Sequence, residues 1–231
     1  MNNSAVTEPE KTAPRAEKHD FSAVSPLRLL GIFSLMVFCT VLLVAATFTG
    51  IKLFNLFHGL ETALHPDVLY SDTKIYENMY TYIPQVPVVL FTATILGMSC
   101  STLCAFAYIV TGLAFLPVFG LGGGFDYVLN YGFGYILGFI PASLFVGKIT
   151  ESKTSAAGIF GSAVLGVALI HLFGLFYMLM LACIFREPAD YIRDWLFFES
   201  FLRLPYDLVF GIASMFFAKF LRKYIWILTA K

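Results

Sequence analysis

Asp207 stands in the run Leu204-Pro205-Tyr206-Asp207-Leu208, an acid just after a proline and ahead of a long apolar stretch. Two chemistries suit an acid there. It can cap a helix N-terminus, where free backbone N–H groups and the dipole stabilise negative charge. It can instead face a bundle interior and accept hydrogen bonds from a ligand. A second candidate is Gly120-Leu121-Gly122-Gly123-Gly124, followed by Phe125-Asp126-Tyr127. A phosphate loop would need a following Lys and a strand–helix frame, and neither is there. The run is either a flexible turn or a loop whose backbone comes close to a ligand. The third is Asn130-Tyr131-Gly132-Phe133-Gly134-Tyr135-Ile136-Leu137-Gly138-Phe139. Gly134 and Gly138 form a small-xxx-small face for close helix packing. Its aromatic rings suit a membrane-edge belt or a stacking wall for an apolar ligand.

Other polar residues say less. His171 lies alone in an apolar run, which predicts a satisfied intramembrane histidine rather than a proton relay. Ser162 precedes it by nine residues, so the two side chains point in different directions on one helix and make no Ser/His hydrolase. Cys39, Cys100, Cys104 and Cys183 all fall in apolar runs and read as small buried packing residues, not metal ligands. Ala46 and Gly50 are four apart, as are Ala45 and Thr49, which suits close contact within the chain or with a partner helix.

These residues need an apolar scaffold, and the composition supplies one. The 231 residues are 58% hydrophobic and only 13% charged, with a mean hydropathy of +0.79, against roughly 25% charged in soluble domains. That excludes a soluble enzyme, a disordered chain and, with 15 basic against 15 acidic residues, a polyanion binder. The apolar runs are long and do not alternate, so an all-α membrane protein is expected rather than a barrel. Six spans are predicted: Leu29 to Ile51, Val86 to Leu96, Cys100 to Phe119, Gly132 to Val146, Ser155 to Phe185 and Leu204 to Leu228. The second is short and needs its neighbours to shield it from lipid. Residues 1–25 read as a disordered cytoplasmic tail ahead of one domain over 26–231. With both termini and the fourth-to-fifth loop on one side, that side carries ten of the fifteen Lys and Arg. Both termini are therefore expected in the cytoplasm. The long loops then face out, and a site near the outer face is expected.

Three segments in this order resemble the BioY family, the biotin-binding S components of energy-coupling factor (ECF) transporters. They are Ile83-Pro84-Gln85-Val86-Pro87-Val88-Val89-Leu90-Phe91-Thr92, then Gly112 to Phe119 with the Gly-rich loop and Gly134 to Phe139, then Leu204 to Leu208. The resemblance covers about residues 80 to 225. It implies a six-helix S-component bundle that is a binder and not an enzyme, with biotin held near the outer face. It implies docking on a transmembrane T component carrying two ATPases, so that ATP is bound by partners and this chain needs no cofactor or metal. Asp207 matches the acid that bonds the ligand head, Thr92 the end of the proline-rich entry and Tyr135 the aromatic of the Gly-Tyr pair. Gly122, Gly123, Asp126 and Asn130 complete the expected ligand set. Ala46 and Gly50 match the small residues through which the first helix meets the T component.

The chain also departs from the family pattern. Phe91 stands where Gln is usual, Asn130 to Phe133 where Gly-Pro-Thr-Gly is usual, and Phe210 where a Lys is frequent. Arg203, one turn before Asp207, is then the expected cation for the ligand carboxylate. The alternatives are an S component for another vitamin and a membrane scaffold with no small-molecule site.

Overall fold

The computed structural model describes residues 26–57, 79–152 and 155–229, with side chains to residue 225. The tail expected over 1–25 and most of the first loop, Lys74 included, lie outside the described residues. Six long helices form the frame: α1 (Pro26–Thr47), α2 (Gln85–Leu96), α3 (Met98–Ala114), α4 (Phe133–Ser152), α5 (Ala156–Phe185) and, after the short α6 (Ala189–Leu196), α7 (Leu204–Thr229). Two strands, β1 (Ile51–Phe54) and β2 (Met79–Tyr82), pair antiparallel with Ile51 opposite Tyr82 and Phe54 opposite Met79. The helices α1, α4, α5 and the stretch holding α7 are long and apolar enough to cross a membrane, while α2 and α3 are shorter apolar helices.

Helix boundaries follow local chemistry. Gly97, at φ 79°, separates α2 from α3, where the sequence predicts a turn. The 12-residue α2 is shielded as expected, with nine residues buried. Ser155 caps α5 by accepting from the Gly158 amide at 3.1 Å, and the helix runs to Phe185 as predicted. Three boundaries differ. α1 ends at Thr47, not Ile51, and the chain turns into β1. α3 ends at Ala114, because residues before Pro117 are driven out of the helical region. α4 continues past Val146 to Ser152, since helical hydrogen bonding does not stop where the side chains turn polar.

Glycines decide how the helices pack. A Cβ on Gly138 would lie 2.8 Å from Ile170 Cα, and one on Gly134 2.3 Å from Tyr177 Cβ. The small-xxx-small face on α4 thus seats α5 in close backbone contact, as the sequence predicts. Ala46 and Gly50 do not form the matching face on α1. Ala46 is buried inside the chain, and Gly50 lies beyond the helix end, where a Cβ would meet Thr81 Cγ2 of β2 at 3.0 Å. The outward face of α1 is instead large and apolar, with Leu30, Phe33, Val37 and Val41 exposed. Among the cysteines, Cys39 and Cys104 are buried as expected, but Cys183 is exposed, because α5 turns that face outward beside Ile184.

Candidate ligand-binding site

All the polar groups of the site gather at one end of the bundle, where α1 finishes and α2, α4 and α7 begin. A cavity of about 250 Å³ opens there, lined by Thr47, Gln85, Asn130, Tyr135, Trp195, Glu199, Arg203 and Asp207 with apolar neighbours including Val86, Ile136 and Phe139. Ligand pockets usually measure roughly 300–1,000 Å³, so this one suits a small ring head group.

Asp207 is the centre of one wall. It is 1% exposed and does not cap its helix. The chain enters α7 through a π-helical turn (Phe197–Phe201), and the Asp207 amide already bonds the Arg203 carbonyl at 2.9 Å. Its carboxylate reaches across the bundle instead. Oδ1 accepts from the Tyr82 hydroxyl at 2.7 Å, and Oδ2 lies 3.0 Å from His171 Nε2 on α5. Each carboxylate oxygen can accept two bonds, so both oxygens keep a lone pair beside the cavity while two residues fix their direction. Burial, reinforced by Asp207, holds the Tyr82 phenol well above its usual pKa, so the hydroxyl remains a donor.

The β-hairpin is what delivers Tyr82. Its strands are held to the start of α7 by Tyr206, whose hydroxyl donates to the Phe54 carbonyl and accepts from the Leu56 amide at 3.2 Å. Tyr80 stacks on the Tyr206 ring. Replacing Tyr82 by Phe removes one donor from a buried carboxylate and is expected to cost about 1–2 kcal/mol of stability. Thermal unfolding of the detergent-solubilised protein measures this, and an unchanged midpoint refutes it.

Tyr135 forms the floor. Its ring edge meets His171, with centroids 5.7 Å apart and planes at 87°, and its hydroxyl bonds Ser200 Oγ at 2.5 Å. The opposite wall is neutral. Gln85 Nε2 donates to Thr47 Oγ1 at 2.8 Å and to the Tyr108 hydroxyl at 3.2 Å, while Thr47 and Tyr108 bond each other at 3.0 Å. The roof comes from α6. Tyr131 donates to Glu187 at 2.6 Å and packs its ring against Trp195. Burial and the Glu187 carboxylate push the Tyr131 phenol up to about 12.

The expected ligand set divides in space. Asp207, Arg203, Tyr135 and Asn130 line the cavity. Asn130 also accepts from the Gly132 amide through Oδ1 at 2.8 Å, which closes the turn into α4. Thr92 lies elsewhere: it is two helical turns beyond Gln85, about 10 Å deeper along α2, and is buried beside Cys39 of α1. Asp126 is exposed on a short 3-10 turn. From the Gly-rich loop the cavity meets Gly120 and Leu121, not Gly122 or Gly123. Gly122 has φ 118° and pairs with Phe119 across a tight turn. Gly123 packs on backbone, with a Cβ there only 2.7 Å from the Gly112 carbonyl oxygen. These glycines shape the loop rather than touch its contents.

The BioY family model matches residues 80–226. The chain belongs to the BioY family. It is therefore a multi-pass membrane protein of a transporter family. A protein named biotin transporter BioY from Thermotoga maritima is 34% identical over 95 residues, which cover 41% of this chain and 56% of that protein. A protein named probable biotin transporter BioY from Lysinibacillus sphaericus is 38% identical over 71 residues, 31% of this chain and 36% of that one. The matches thus span about half and about a third of those relatives. A crystal structure described as the S-component for biotin from an ECF-type ABC transporter superposes with a TM-score of 0.61. It covers 87% of this chain and 95% of that one at 18% identity, and establishes the six-helix S-component fold.

Around the cavity of this BioY-family chain, Tyr82, His171, Gln85, Trp195 and Glu199 were not among the site residues expected from sequence. Gln85 had a visible signal, as the hydrogen-bonding side chain of the proline-rich segment. So did Tyr82, in the strand-favouring run Met79-Tyr80-Thr81-Tyr82. His171 had none that linked it to Asp207.

Proposed function

We propose that this chain is the substrate-binding membrane subunit for biotin uptake by an ECF-type transporter, a carrier and not an enzyme. The observation that carries the reading is Asp207, a buried acid aimed by Tyr82 and His171 at a small cavity with aromatic and apolar walls. An oriented carboxylate accepts the N–H groups of a cyclic urea, and the apolar walls take the rest of a small ring system. The names of the BioY relatives and the fold of the biotin S-component support the same ligand. In this reading the chain captures biotin at the outer face and hands it on with a transmembrane T component and two ATPases that bind ATP. The excess of Lys and Arg on the side of the termini supports a cytoplasmic position for both ends. With Ala46 turned inward, the exposed apolar face of α1 is the better candidate for contact with the T component.

The test is mass spectrometry of small molecules released from the purified protein, then biotin titration of the stripped protein. Nanomolar binding, about −12 kcal/mol, is expected. Release of a different vitamin, with no biotin binding, overturns the ligand and keeps the fold.

A further inference from the structure

The lining of the cavity holds two donors, one in the roof and one on the Asp207 side, that the described residues leave without acceptors. Trp195 Nε1 and Arg203 Nε are both buried and unpartnered, and both residues line the cavity. Orphaned buried donors are unfavourable, so two of them lining one cavity call for an acceptor brought in from outside. Arg203 Nη1 is already engaged, on Glu199 Oε2 at 2.9 Å.

Charge decides which acceptor fits. Among the described residues, the charged ones lining the cavity are Glu199, Arg203 and Asp207, one cation between two acids. Both acids act on the guanidinium: burial works against its charge, and Asp207 and Glu199 favour it. His171, behind Asp207, can add at most one positive charge. A ligand carboxylate placed here would be a third acid around one guanidinium, buried and largely unpaid by counter-charge. A neutral carbonyl oxygen adds no charge and has two lone pairs for the two orphaned donors. A cyclic urea carries such a carbonyl between two N–H groups. Arg203 and Asp207 are four residues apart on one helical face, where they can meet the two sides of that group.

We propose that Trp195 and Arg203 receive the carbonyl oxygen of a neutral urea-type head group whose N–H faces Asp207, and that this cavity does not read the ligand's carboxylate. The inference rests on the biotin reading above. It gives Arg203 a different task from the carboxylate pairing expected from sequence.

The test titrates the full-length purified protein with biotin and with biotinamide, which carries a neutral carboxamide in place of the carboxylate. Wild-type affinities for the two should agree within about threefold. Arg203→Gln should weaken both by the same factor, about tenfold or more, and Trp195→Phe, which keeps the ring and removes only the N–H, by about fivefold. Trp195→Phe also keeps the test decisive if Arg203→Gln does not fold. A wild-type preference for biotin above about thirtyfold overturns the proposal, as does unchanged affinity in Trp195→Phe. Failure of the wild type to bind either compound overturns the biotin reading itself, a distinct result.

Discussion

Asp207→Ala is expected to lower affinity for the proposed ligand, biotin, by about 100- to 1,000-fold, the largest single-residue effect expected in the site. Three losses combine. The ligand N–H loses a charged acceptor, and hydrogen bonds to charged groups contribute about 1.5–3 kcal/mol each. The Tyr82 hydroxyl, 2.7 Å from Oδ1, and His171 Nε2, 3.0 Å from Oδ2, are left facing a cavity with no acceptor. Arg203 loses one of the two acids that balance it. Removing one member of a buried charged network typically costs about 3–5 kcal/mol, shared here between ligand affinity and protein stability. Asp207→Asn keeps the shape and one acceptor oxygen, and should lose less, about tenfold to thirtyfold. Calorimetric titration beside thermal unfolding separates the two effects. Full affinity in Asp207→Ala would remove Asp207 from the site.

The second large effect is on assembly of the bundle. Gly138→Ala is expected to destabilise by about 2–4 kcal/mol, at or above the usual cost of overpacking. The added methyl would lie 2.8 Å from Ile170 Cα and 3.1 Å from the Ile170 carbonyl oxygen. Those are backbone atoms, so α4 and α5 must separate. Ile170 adjoins His171, so the same separation draws His171 away from Asp207 and should weaken ligand binding as well. Gly161→Ala on α5 is the control, since nothing lies within 4 Å of its added Cβ. There the gain in helix propensity, about 1 kcal/mol, should raise the melting point. Equal midpoints for the two variants would show that the α4–α5 contact does not depend on Gly138.

Local signals carried most of the helical frame. Length and apolarity of each run determine a helix, because in hydrocarbon the backbone must satisfy its own hydrogen bonds. The small-xxx-small spacing of Gly134 and Gly138 is visible within four residues, so a packing face could be read directly, although the α5 residues it meets, Ile170 and Tyr177, lie more than 30 residues away. The hairpin was harder. Four-residue strands carry a weak pattern: the predicted span ran to Ile51, the first residue of β1, although the chain had already turned at Thr47, and the rest of the strand fell in the loop.

The site divides along the same line. The acid at 207, the Gly-Tyr pair containing Tyr135, and Asn130 were legible because each sits in a short motif with its own composition. Thr92 was misplaced because it shares a helix face with Gln85 but lies two turns, about 10 Å, farther along α2, and only the tertiary structure shows that the cavity reaches Gln85 and stops short of Thr92. Ala46 shows a different gap: spacing identifies a face but not what that face meets, and the tertiary structure buries Ala46 inside the chain.

The amino-acid sequence alone determined that this is a six-helix membrane protein and where its helices run, and it marked Asp207 as an acid with two possible tasks. Those properties depend on neighbours along the chain. Only the tertiary structure decided what the acid does. Tyr82 is 125 residues from Asp207 and His171 is 36. Hydrogen bonds over such separations exist only once the hairpin and α5 have docked on α7, and they turn a helix-end carboxylate into an oriented acceptor.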